Sequence, residues 1–324
     1  MQQEEIIIIG AGPCGLAAAI ALKQTGKNPL VIEKGNVVDA IFRFPTHQTF
    51  FSTSDKLEIG NVPFVTEEHK PKRNHALAYY REVVKRNELR INSFEKVTEV
   101  SKATNELYCI VTEKQKYLTS NVIIATGYYD HPNYINVPGE NLPKVSHYFK
   151  EAHPYFDKDV VIVGGKNSSV EAAIELAKAG ARVTVIYRGS EYSKNIKPWI
   201  LPEFDSLVRN QNITMEFSAA IKEITDEKVV YLVNNIEKEL KNEYVLAMTG
   251  YHPDHNFLRK MGVEIDEETG RPIHNTETME TNISGIYIAG VIAAGNNANE
   301  IFIENGRLHG EQIAQALFTK EQQG

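Results

Sequence analysis

The sequence predicts an α/β protein with two Rossmann-like, three-layer dinucleotide-binding domains, the second of which is inserted into the first. A short apolar strand, a glycine-rich turn and an alanine-rich helix occur in this order twice, first from Glu5 and again from Asp159. Another short strand follows each time, so both segments form a strand–helix–strand unit. A further strand, turn and helix close the chain, which indicates that its C-terminal part returns to the first domain.

The domain organisation follows from the spacing of these units. They begin about 155 residues apart, which is too far for a repeat array with a period of roughly 20–50 residues. We expect the first domain to comprise residues 1–128 and 280–324, and the inserted domain residues 155–250. Segments 129–154 and 251–279 are predicted to link them, the former being rich in Pro, Gly, Asn and His.

The periodicity of apolar residues, together with the Gly, Pro and Asn positions, predicts the individual elements. In the segment between residues 89 and 124, apolar and polar residues alternate as in antiparallel strands. Elsewhere, strands are expected over residues 5–9, 29–33, 159–163, 181–188 and 285–289. Helices are expected over residues 16–24, 74–87, 164–179 and about 304–318.

Composition and charge exclude several functional classes. Hydrophobic residues make up 42% of the chain and charged residues 24%, as in ordinary globular proteins. The net charge of −7 argues against a nucleic-acid partner, which would need a basic surface. The apolar run 6–22 is interrupted by glycines and preceded by Gln and Glu, so we expect neither a signal peptide nor a membrane span.

The cysteine content points to a reducing compartment. Cys14 and Cys109 are the only two cysteines, too few for a disulfide framework or a structural zinc site. No set of His, Cys, Asp and Glu has metal-ligand spacing, so no metal is expected. We therefore expect a cytoplasmic protein, with Cys109 packed in a core because it lies in a strand-like stretch.

The first glycine loop, residues 10–15, follows a strand and opens a helix with the pattern Gly-x-Gly-x-x-Gly. Gly10 permits the tight turn, Gly12 lets the backbone approach a pyrophosphate, and Gly15 lets helix and strand pack closely. The free N–H groups at the start of the helix favour phosphate. Glu33 ends the next strand, where a carboxylate accepts hydrogen bonds from ribose hydroxyls. The sequence therefore predicts a dinucleotide site.

The second glycine loop departs from this pattern, because Lys166 stands in place of the second glycine and Ser169 in place of the third. The Lys166 side chain either points away from the pyrophosphate or contacts it. Arg188 ends the following strand where NAD-binding proteins have an acid, and a cation there suits the 2′-phosphate of NADP. Lys194 follows and adds positive charge. The alternative is that these cations form an ordinary solvated turn.

The two nucleotide folds, the crossover Ala125-Thr126-Gly127 and the segment 281–290 together resemble the thioredoxin-reductase-like flavoproteins over essentially the whole chain. The resemblance implies that the first fold binds FAD, the inserted fold binds NADPH, and the C-terminal segment completes the flavin site. The implied FAD contacts are Gly10, Gly12, Pro13, Cys14, Gly15, Glu33, Lys34, Thr46, Thr126, Gly127, Gly290, Glu300 and Ile301. The implied NADPH contacts are Gly164, Gly165, Lys166, Asn167, Ser168, Ser169, Arg188 and Lys194.

Two departures from that family bear on function. The inserted domain lacks Cys-x-x-Cys, which excludes dithiol exchange with thioredoxin because a second thiol is needed to resolve a mixed disulfide. Val291 stands where the family's Ala-Gly-Asp has the Asp that reaches the ribityl chain of the flavin. That contact would then fall to backbone N–H groups around Gly290.

A narrower resemblance rests on four longer segments, residues 12–15, 44–54, 163–168 and 297–306. Together they are similar to the YpdA-type bacillithiol disulfide reductases, including Lys166 in the second loop. This resemblance implies an NADPH-dependent FAD enzyme that reduces the oxidised dimer of a low-molecular-weight thiol. Its partner would be a small-molecule disulfide, with neither nucleic acid nor membrane, and such proteins are usually homodimers or larger homo-oligomers.

Cys14 is the candidate redox thiol. It lies in the first turn of a helix, where the helix dipole favours the thiolate and would lower the pKa of the thiol. A thiolate attacks a disulfide to give a mixed disulfide. The alternative is that Cys14 fills a variable position of the glycine loop. His47 lies in a loop expected near the flavin, either as a proton donor to the leaving thiolate or as a surface residue.

Three other functions remain open at this point. A ferredoxin- or flavodoxin-NADP reductase also lacks Cys-x-x-Cys and would not depend on Cys14. A flavin monooxygenase is suggested by residues 125–128, although its Phe-x-Gly-x-x-x-His fingerprint is absent. A flavin-bound redox sensor would turn over slowly with every acceptor. A pure binding module is disfavoured, because a second nucleotide site has no purpose without hydride transfer.

Overall fold

The computed structural model describes residues 1–104, 106–297 and 299–323. The chain forms two compact units, one made of Met1–His131 and Tyr251–Gly324 and the other of Pro132–Gly250. The residues expected to link two domains are thus distributed between the two units. The domain boundaries derived from the sequence stay a prediction.

The elements are numbered in chain order. The strands are β1 (Gln2–Ile9), β2 (Leu30–Ile32), β3 (Arg90–Asn92), β4 (Val97–Lys102), β5 (Tyr108–Thr112), β6 (Lys116–Ile124), β7 (Val145–Ser146), β8 (Asp159–Val163), β9 (Arg182–Ile186), β10 (Ile213–Glu216), β11 (Ala219–Ile224), β12 (Lys228–Val233), β13 (Ile236–Lys241), β14 (Tyr244–Ala247) and β15 (Ile286–Ile288). The helices are α1 (Pro13–Gln24), α2 (Asp39–Arg43), α3 (Arg73–Arg86), α4 (Asn167–Lys178), α5 (Leu201–Arg209), α6 (His255–Lys260), α7 (Ile303–Gly306) and α8 (His309–Gln323). Short 3-10 helices span Ser54–Leu57, His153–Tyr155 and Val291–Ala294. Within the described residues, none of the helices combines the length and the apolar character needed to cross a lipid bilayer.

The first unit is built on a seven-stranded sheet. Five parallel strands, in the order β3-β2-β1-β6-β15, form its Rossmann-like part, and the antiparallel strands β5 and β4 extend it from β6. Residues 6–9 of β1, all isoleucine, are buried because this central strand is covered on both faces. Small residues in α1 let α8 approach closely, since a side chain at Gly310 would come within 2.6 Å of the Ala18 Cα.

The second unit repeats the same arrangement. Five parallel strands lie in the order β10-β9-β8-β14-β7, and β8, α4 and β9 correspond to β1, α1 and β2 of the first unit. A separate antiparallel sheet, β11-β12-β13, shares its core with Val161, Ile186 and Val245 of the parallel strands. The predicted α/β class with two Rossmann-like folds is therefore confirmed.

Two expectations about elements are wrong. The strands between residues 89 and 124 are not all antiparallel, because β3 pairs parallel with β2 and β6 pairs parallel with β1. Alternation of apolar residues marks a strand but does not show which neighbour it pairs with. The closing helix is also not continuous: α7 ends at Gly306 and α8 starts at His309. Between them, the Arg307 guanidinium donates to the carbonyl groups of Asp55 and Glu58, which holds the chain at the break.

Candidate cofactor and active site

A cavity of about 520 Å³ opens in the first unit at the carboxyl ends of its parallel strands. Doubly wound α/β folds bind ligands at this edge, so the cavity lies where the first glycine loop predicts a dinucleotide. The glycine loop and the segments that follow β2, β6 and β15 all contribute to its wall. The predicted FAD contacts that line it are Gly10, Gly12, Pro13, Cys14, Glu33, Lys34, Thr126, Gly127 and Gly290.

The glycine loop is tightly packed at Gly15 and open toward the cavity at Gly12. A Cβ at Gly15 would come within 2.1 Å of the Gly10 carbonyl oxygen, so no larger residue fits between α1 and the turn. A Cβ at Gly12 would meet nothing within 4 Å, and Gly12 lines the cavity. Gly12 is also the N-cap of α1, with Pro13 next, and no side chain caps the helix. These uncapped N–H groups beside an open backbone suit a pyrophosphate.

The Glu33 carboxylate is held at the cavity wall by the glycine loop and the residues after β2. Its Oε2 accepts a hydrogen bond from the Ala11 N–H at 2.7 Å, and its Oε1 accepts one from the Gly35 N–H at 2.8 Å. Burial raises the pKa of Glu33, while these two hydrogen bonds act in the opposite direction. The carboxylate is thus fixed in a position that fits its expected role as acceptor for ribose hydroxyls.

Four charged side chains form a network on the same wall. Lys34 and Arg43 both pair with Asp130, and the Arg43 Nε also donates to Asp39 at 2.8 Å. Burial acts to raise the pKa of Asp130, but the two cations outweigh it and hold that pKa below its ordinary value. Of these four residues, the sequence pointed only to Lys34, because the others lie in α2 and in the predicted linker.

One hydroxyl in the cavity wall, that of Thr126, is buried and lacks a hydrogen-bond partner in the part of the chain that the structure describes. A buried polar group left unpaired costs about 1–3 kcal/mol. Thr126 lines the cavity, so a ligand there would satisfy it. The glycine loop, Glu33 and Thr126 together fit a dinucleotide such as FAD.

Aromatic side chains that no sequence motif singled out as cofactor contacts complete the wall. Phe44, Tyr128, Tyr129 and Phe257 all line the cavity, and the rings of Phe44 and Tyr129 meet edge to face at 5.1 Å. Such a wall suits a planar ring system. In the sequence, Tyr128 and Tyr129 directly follow the crossover that ends at Gly127, where the first predicted domain meets the predicted linker.

Cys14 lies in the first turn of α1 as a free thiol and lines the cavity. Its Sγ packs against the backbone of the C-terminal segment, since a Cβ at Gly290 or Gly306 would lie 2.9 or 3.0 Å from the sulfur. Burial, and secondarily the charge of Glu304, raises the pKa of the Cys14 thiol to about 12. The expectation that the helix dipole lowers this pKa is therefore wrong for this structure, because desolvation outweighs the dipole.

Five of the expected FAD or catalytic residues do not line this cavity. Gly15 is buried between α1 and the turn, as described above. The Glu300 carboxylate pairs with Arg271, and Ile301 packs on the core of the first unit. Thr46 is half-buried, and the side chain of His47 is exposed. Their contacts with FAD, and a catalytic role for His47, stay predictions.

The second glycine loop joins β8 to α4 in the second unit. A Cβ at Gly165 would come within 2.4 Å of the Tyr187 ring, so the loop packs directly against the residue that follows β9. Gly164 begins the turn, and Ser169 is buried with its hydroxyl donating to the Lys166 carbonyl group at 2.8 Å. Lys166 is the N-cap of α4, and its side chain is exposed, as is that of Ser168.

Three of the predicted NADPH contacts are exposed cations. One of them, Lys194, lies in a segment that is hydrogen-bonded to the start of α4. Lys166, Arg188 and Lys194 have no ion-pair partner among the residues described. The Asn167 side chain donates to the Asn195 carbonyl group at 3.0 Å and accepts from the Lys197 N–H at 2.9 Å. The loop that carries Lys194 is thereby fixed to the start of α4. This arrangement suits a phosphate, although the NADPH contacts themselves stay predictions.

Two dinucleotide folds in one chain, with a thiol in the wall of the first site, define a class of pyridine nucleotide oxidoreductases. The chain belongs to the pyridine nucleotide-disulphide oxidoreductases, since the profile of that family matches residues 7–290. Thioredoxin-reductase-like members of this family depend on FAD and NADPH, and the chain is accordingly an oxidoreductase and a flavoprotein with these two cofactors.

Similarity to individual proteins extends over the whole chain. The chain is 66% identical over 324 residues to bacilliredoxin reductase Bdr of Bacillus subtilis, with 99% of each covered. Two solved structures of bacillithiol disulfide reductase Bdr (YpdA) superpose with a TM-score of 0.97 each. The one from Bacillus cereus is 63% identical and covers 98% of this chain and 100% of its own, and the one from Staphylococcus aureus is 58% identical and covers 99% and 100%. The resemblance inferred from the four sequence segments is confirmed.

Proposed function

We propose that this protein reduces the disulfide of a low-molecular-weight thiol, with bacillithiol disulfide as the first candidate. The observation that carries the proposal is the cavity of the first unit, in whose described wall Cys14 is the only cysteine. The names of the relatives support this substrate class. One name refers to bacilliredoxin and the others to bacillithiol disulfide, so both kinds of acceptor belong in the test.

In this proposal each unit holds one cofactor. In the first unit, the backbone at Gly12 receives the pyrophosphate of FAD, Glu33 accepts from its ribose, and Thr126 gains the partner that its hydroxyl lacks. In the second unit, Arg188 and Lys194 bind the 2′-phosphate of NADPH. The absence of an ion-pair partner for either cation in the described residues supports this assignment, because the phosphate would not have to displace an existing carboxylate.

When bound, FAD supplies the two-electron chemistry that links a nicotinamide to a disulfide. The overall reaction is balanced, since NADPH and one proton convert one disulfide into NADP⁺ and two thiols. The chain's own residues bind and orient the reactants and keep water from the aromatic part of the wall. The apolar and aromatic side chains of Phe44, Tyr128 and Phe257 serve the last purpose.

Cys14 is proposed as the thiol that meets the substrate disulfide. Its high pKa keeps it protonated near neutral pH, so it becomes an attacking thiolate only if its proton is taken up during the reaction. Its attack would break the S–S bond of the substrate, release one thiol and leave the other half as a mixed disulfide on Cys14. The electron pair and proton that bound, reduced FAD would supply and one further proton would then release the second thiol and restore Cys14. The alternative from the sequence remains, namely that Cys14 only fills the glycine loop. Substitution distinguishes the two, because a packing role predicts near-normal turnover in a variant with a side chain of similar size.

We also propose that the protein works in the cytoplasm as a homodimer or larger homo-oligomer. The compartment is supported by two free cysteines, which persist where thiols are kept reduced. The oligomeric state rests on the resemblance to other thioredoxin-reductase-like proteins. Light scattering of the purified protein measures it directly, and a monomer would contradict the proposal.

The experiment follows NADPH consumption by the purified yellow protein in the presence of different acceptors. Bacillithiol disulfide and oxidised bacilliredoxin are compared with ferredoxin and flavodoxin. Cys14→Ser is compared with the matched variant Cys109→Ser, whose thiol lies in β5 and is not part of the cavity wall. We expect disulfide-dependent turnover that Cys14→Ser lowers by about 100-fold or more and Cys109→Ser leaves unchanged.

The outcomes separate the disulfide reductase from the electron-transfer reductase and from the redox sensor. If only ferredoxin or flavodoxin accepts electrons and Cys14→Ser equals the wild type, the protein is an electron-transfer reductase and the proposed substrate class is wrong. If the disulfide is reduced equally well by Cys14→Ser, the substrate class holds and the catalytic role of Cys14 is refuted. Slow turnover with every acceptor would favour the redox sensor.

A further inference from the structure

His309 makes a contact at the flavin cavity that the proposed function does not use. It is the first residue of α8, and its Nδ1 accepts a hydrogen bond from the backbone N–H of Gly290 at 3.1 Å. Gly290 lines the cavity, two residues after the end of β15. His309 itself lies behind this wall and is half-buried.

The turn at Gly290 has an unusual backbone conformation, and hydrogen bonds on both sides of the residue stabilise it. Gly290 has a φ of +83°, a conformation that residues with a side chain rarely adopt. Its carbonyl group accepts from the Ala293 N–H at 3.1 Å, which closes the 3-10 turn that begins at Val291. Its N–H points the other way, to His309. The imidazole is therefore the side-chain anchor of this turn, at the place where Val291 offers no polar group.

The position of His309 is itself fixed by close helix packing. A side chain at the next residue, Gly310, would come within 2.6 Å of the Ala18 Cα, so the start of α8 lies directly on α1. Helix α1 begins at the glycine loop, and its Cys14 touches Gly290 from the cavity side. His309 thus begins a helix that packs on α1 and bonds the backbone of Gly290, which is in contact with Cys14 of α1.

The bond requires one protonation state. An N–H donor needs an unprotonated Nδ1, so His309 accepts from Gly290 only as a neutral imidazole with its proton on Nε2. Burial, followed by the nearby His274, lowers the pKa of His309 to about 4. Within the described residues, His274 is the titratable group whose charge shifts the pKa of His309. The carboxylate of Glu304 in α7, on the neighbouring element, instead raises the pKa of Cys14 in α1.

We propose that His309 is a positioning residue for FAD, which holds the turn at Gly290 and Val291 in the conformation that receives the cofactor and does so as a neutral hydrogen-bond acceptor. The inference rests on the proposed function only for the identity of the cofactor. It predicts that loss of the acceptor loosens FAD without changing which disulfide the enzyme reduces. It also predicts that protonation of His309 has the same effect as its removal.

The test measures FAD release from the purified holoenzyme after dilution, followed by the rise in flavin fluorescence, with no disulfide present. His309→Leu removes the acceptor, whereas His309→Asn keeps one, because an Asn Oδ1 occupies nearly the place of the imidazole Nδ1. We expect His309→Leu to release FAD about five- to tenfold faster than the wild type and His309→Asn to stay within about twofold. His69→Asn, on an exposed loop, serves as the control.

The pH dependence provides a second readout. As the pH falls toward the pKa of about 4, FAD release from the wild type should accelerate, and that from His309→Asn should not. If His309→Leu proves unstable, this comparison alone decides the matter. Equal release from all variants, or equal acid acceleration in wild type and His309→Asn, would overturn the inference. A failure of the disulfide assay would leave this result untouched, since no substrate is used.

Discussion

The chemistry of Cys14 depends on its neighbours more than on its position in the sequence. A cysteine at the start of a helix is expected to have a lowered thiol pKa, yet burial and the Glu304 carboxylate raise that of Cys14 to about 12. Cys14, the candidate thiol of the sequence, lines the cavity of the first unit. The sequence could not show the backbones of Gly290 and Gly306 over the sulfur, because these come from the other end of the chain.

Glu304→Gln should make the Cys14 thiol more reactive. The substitution removes the negative charge that disfavours the thiolate and keeps an oxygen that can accept from the Ser52 hydroxyl. We expect the rate of alkylation of Cys14 by iodoacetamide at mildly alkaline pH to rise about threefold or more. The measurement is mass spectrometry of the modified peptide, in a Cys109→Ser background.

Glu311→Gln is the matched control, because Glu311 is an exposed carboxylate in the first turn of α8. It should leave the alkylation rate of Cys14 unchanged. A rate in Glu304→Gln equal to that of the wild type would mean that burial alone sets the pKa of the thiol.

At the scale of elements, two substitutions in the first glycine loop should affect different properties: one at Gly15 the stability of the fold, and one at Gly12 the binding of FAD. Gly15→Ala puts a methyl group 2.1 Å from the Gly10 carbonyl oxygen and should lower the free energy of unfolding by about 1–3 kcal/mol. Gly12→Ala adds a methyl group in open space on the cavity side. It should leave the stability of the FAD-free protein nearly unchanged and weaken FAD binding by about tenfold or more.

Thermal melting of the FAD-free proteins and titration with FAD measure the two effects. Normal FAD affinity in Gly12→Ala would show that the pyrophosphate does not approach the loop at this residue. An unchanged melting temperature in Gly15→Ala would contradict the tight packing of α1 against the turn.

Helix α4 of the second unit contains a group that makes stability depend on pH. Burial, and then the charge of Glu175, raises the pKa of Glu171 from 4.5 to about 7. Because the folded state binds its proton more tightly than the unfolded state, stability from this group is present below pH 4.5 and is lost as the pH rises through about 7. Glu171→Gln should therefore stabilise the protein above pH 7, by on the order of 2 kcal/mol, and change little near pH 4.5.

The melting temperature of Glu171→Gln relative to the wild type, measured across this pH range, tests the linkage. Glu227→Gln, at an exposed position of the same unit, provides the control and should shift the melting temperature equally little at every pH. A stabilisation that is the same at low and high pH would show that the proton of Glu171 is not involved.

The sequence predicted the repeated strand–helix–strand units but not every partner of their strands. The glycine loops at Gly10 and Gly164 mark local turns, which sequence patterns describe well. Whether β3 runs parallel to β2, and where the last helix breaks, depends on contacts made by distant residues such as Arg307. Such contacts leave no local pattern.

For the whole molecule, the fold class and the family followed from the sequence, whereas part of the site did not. Asp130, Tyr129 and Phe257 lie in the cavity wall but fall in segments assigned to linkers. In residues 129–154, a composition rich in Pro, Gly, Asn and His predicted a connection and gave no sign that Tyr129 and Asp130 lie beside the cofactor cavity. The buried, unpartnered hydroxyl of Thr126 likewise emerges only from the three-dimensional arrangement.

The most direct measurement takes the holoenzyme without oxygen, reduces it with one equivalent of NADPH, and then adds bacillithiol disulfide while the visible absorbance of the flavin is followed. We predict that the absorbance falls with NADPH and returns fully with one equivalent of disulfide, with two thiols formed. If the flavin stays reduced in the presence of the disulfide and is reoxidised only by ferredoxin, flavodoxin or oxygen, the proposed disulfide reductase activity is contradicted.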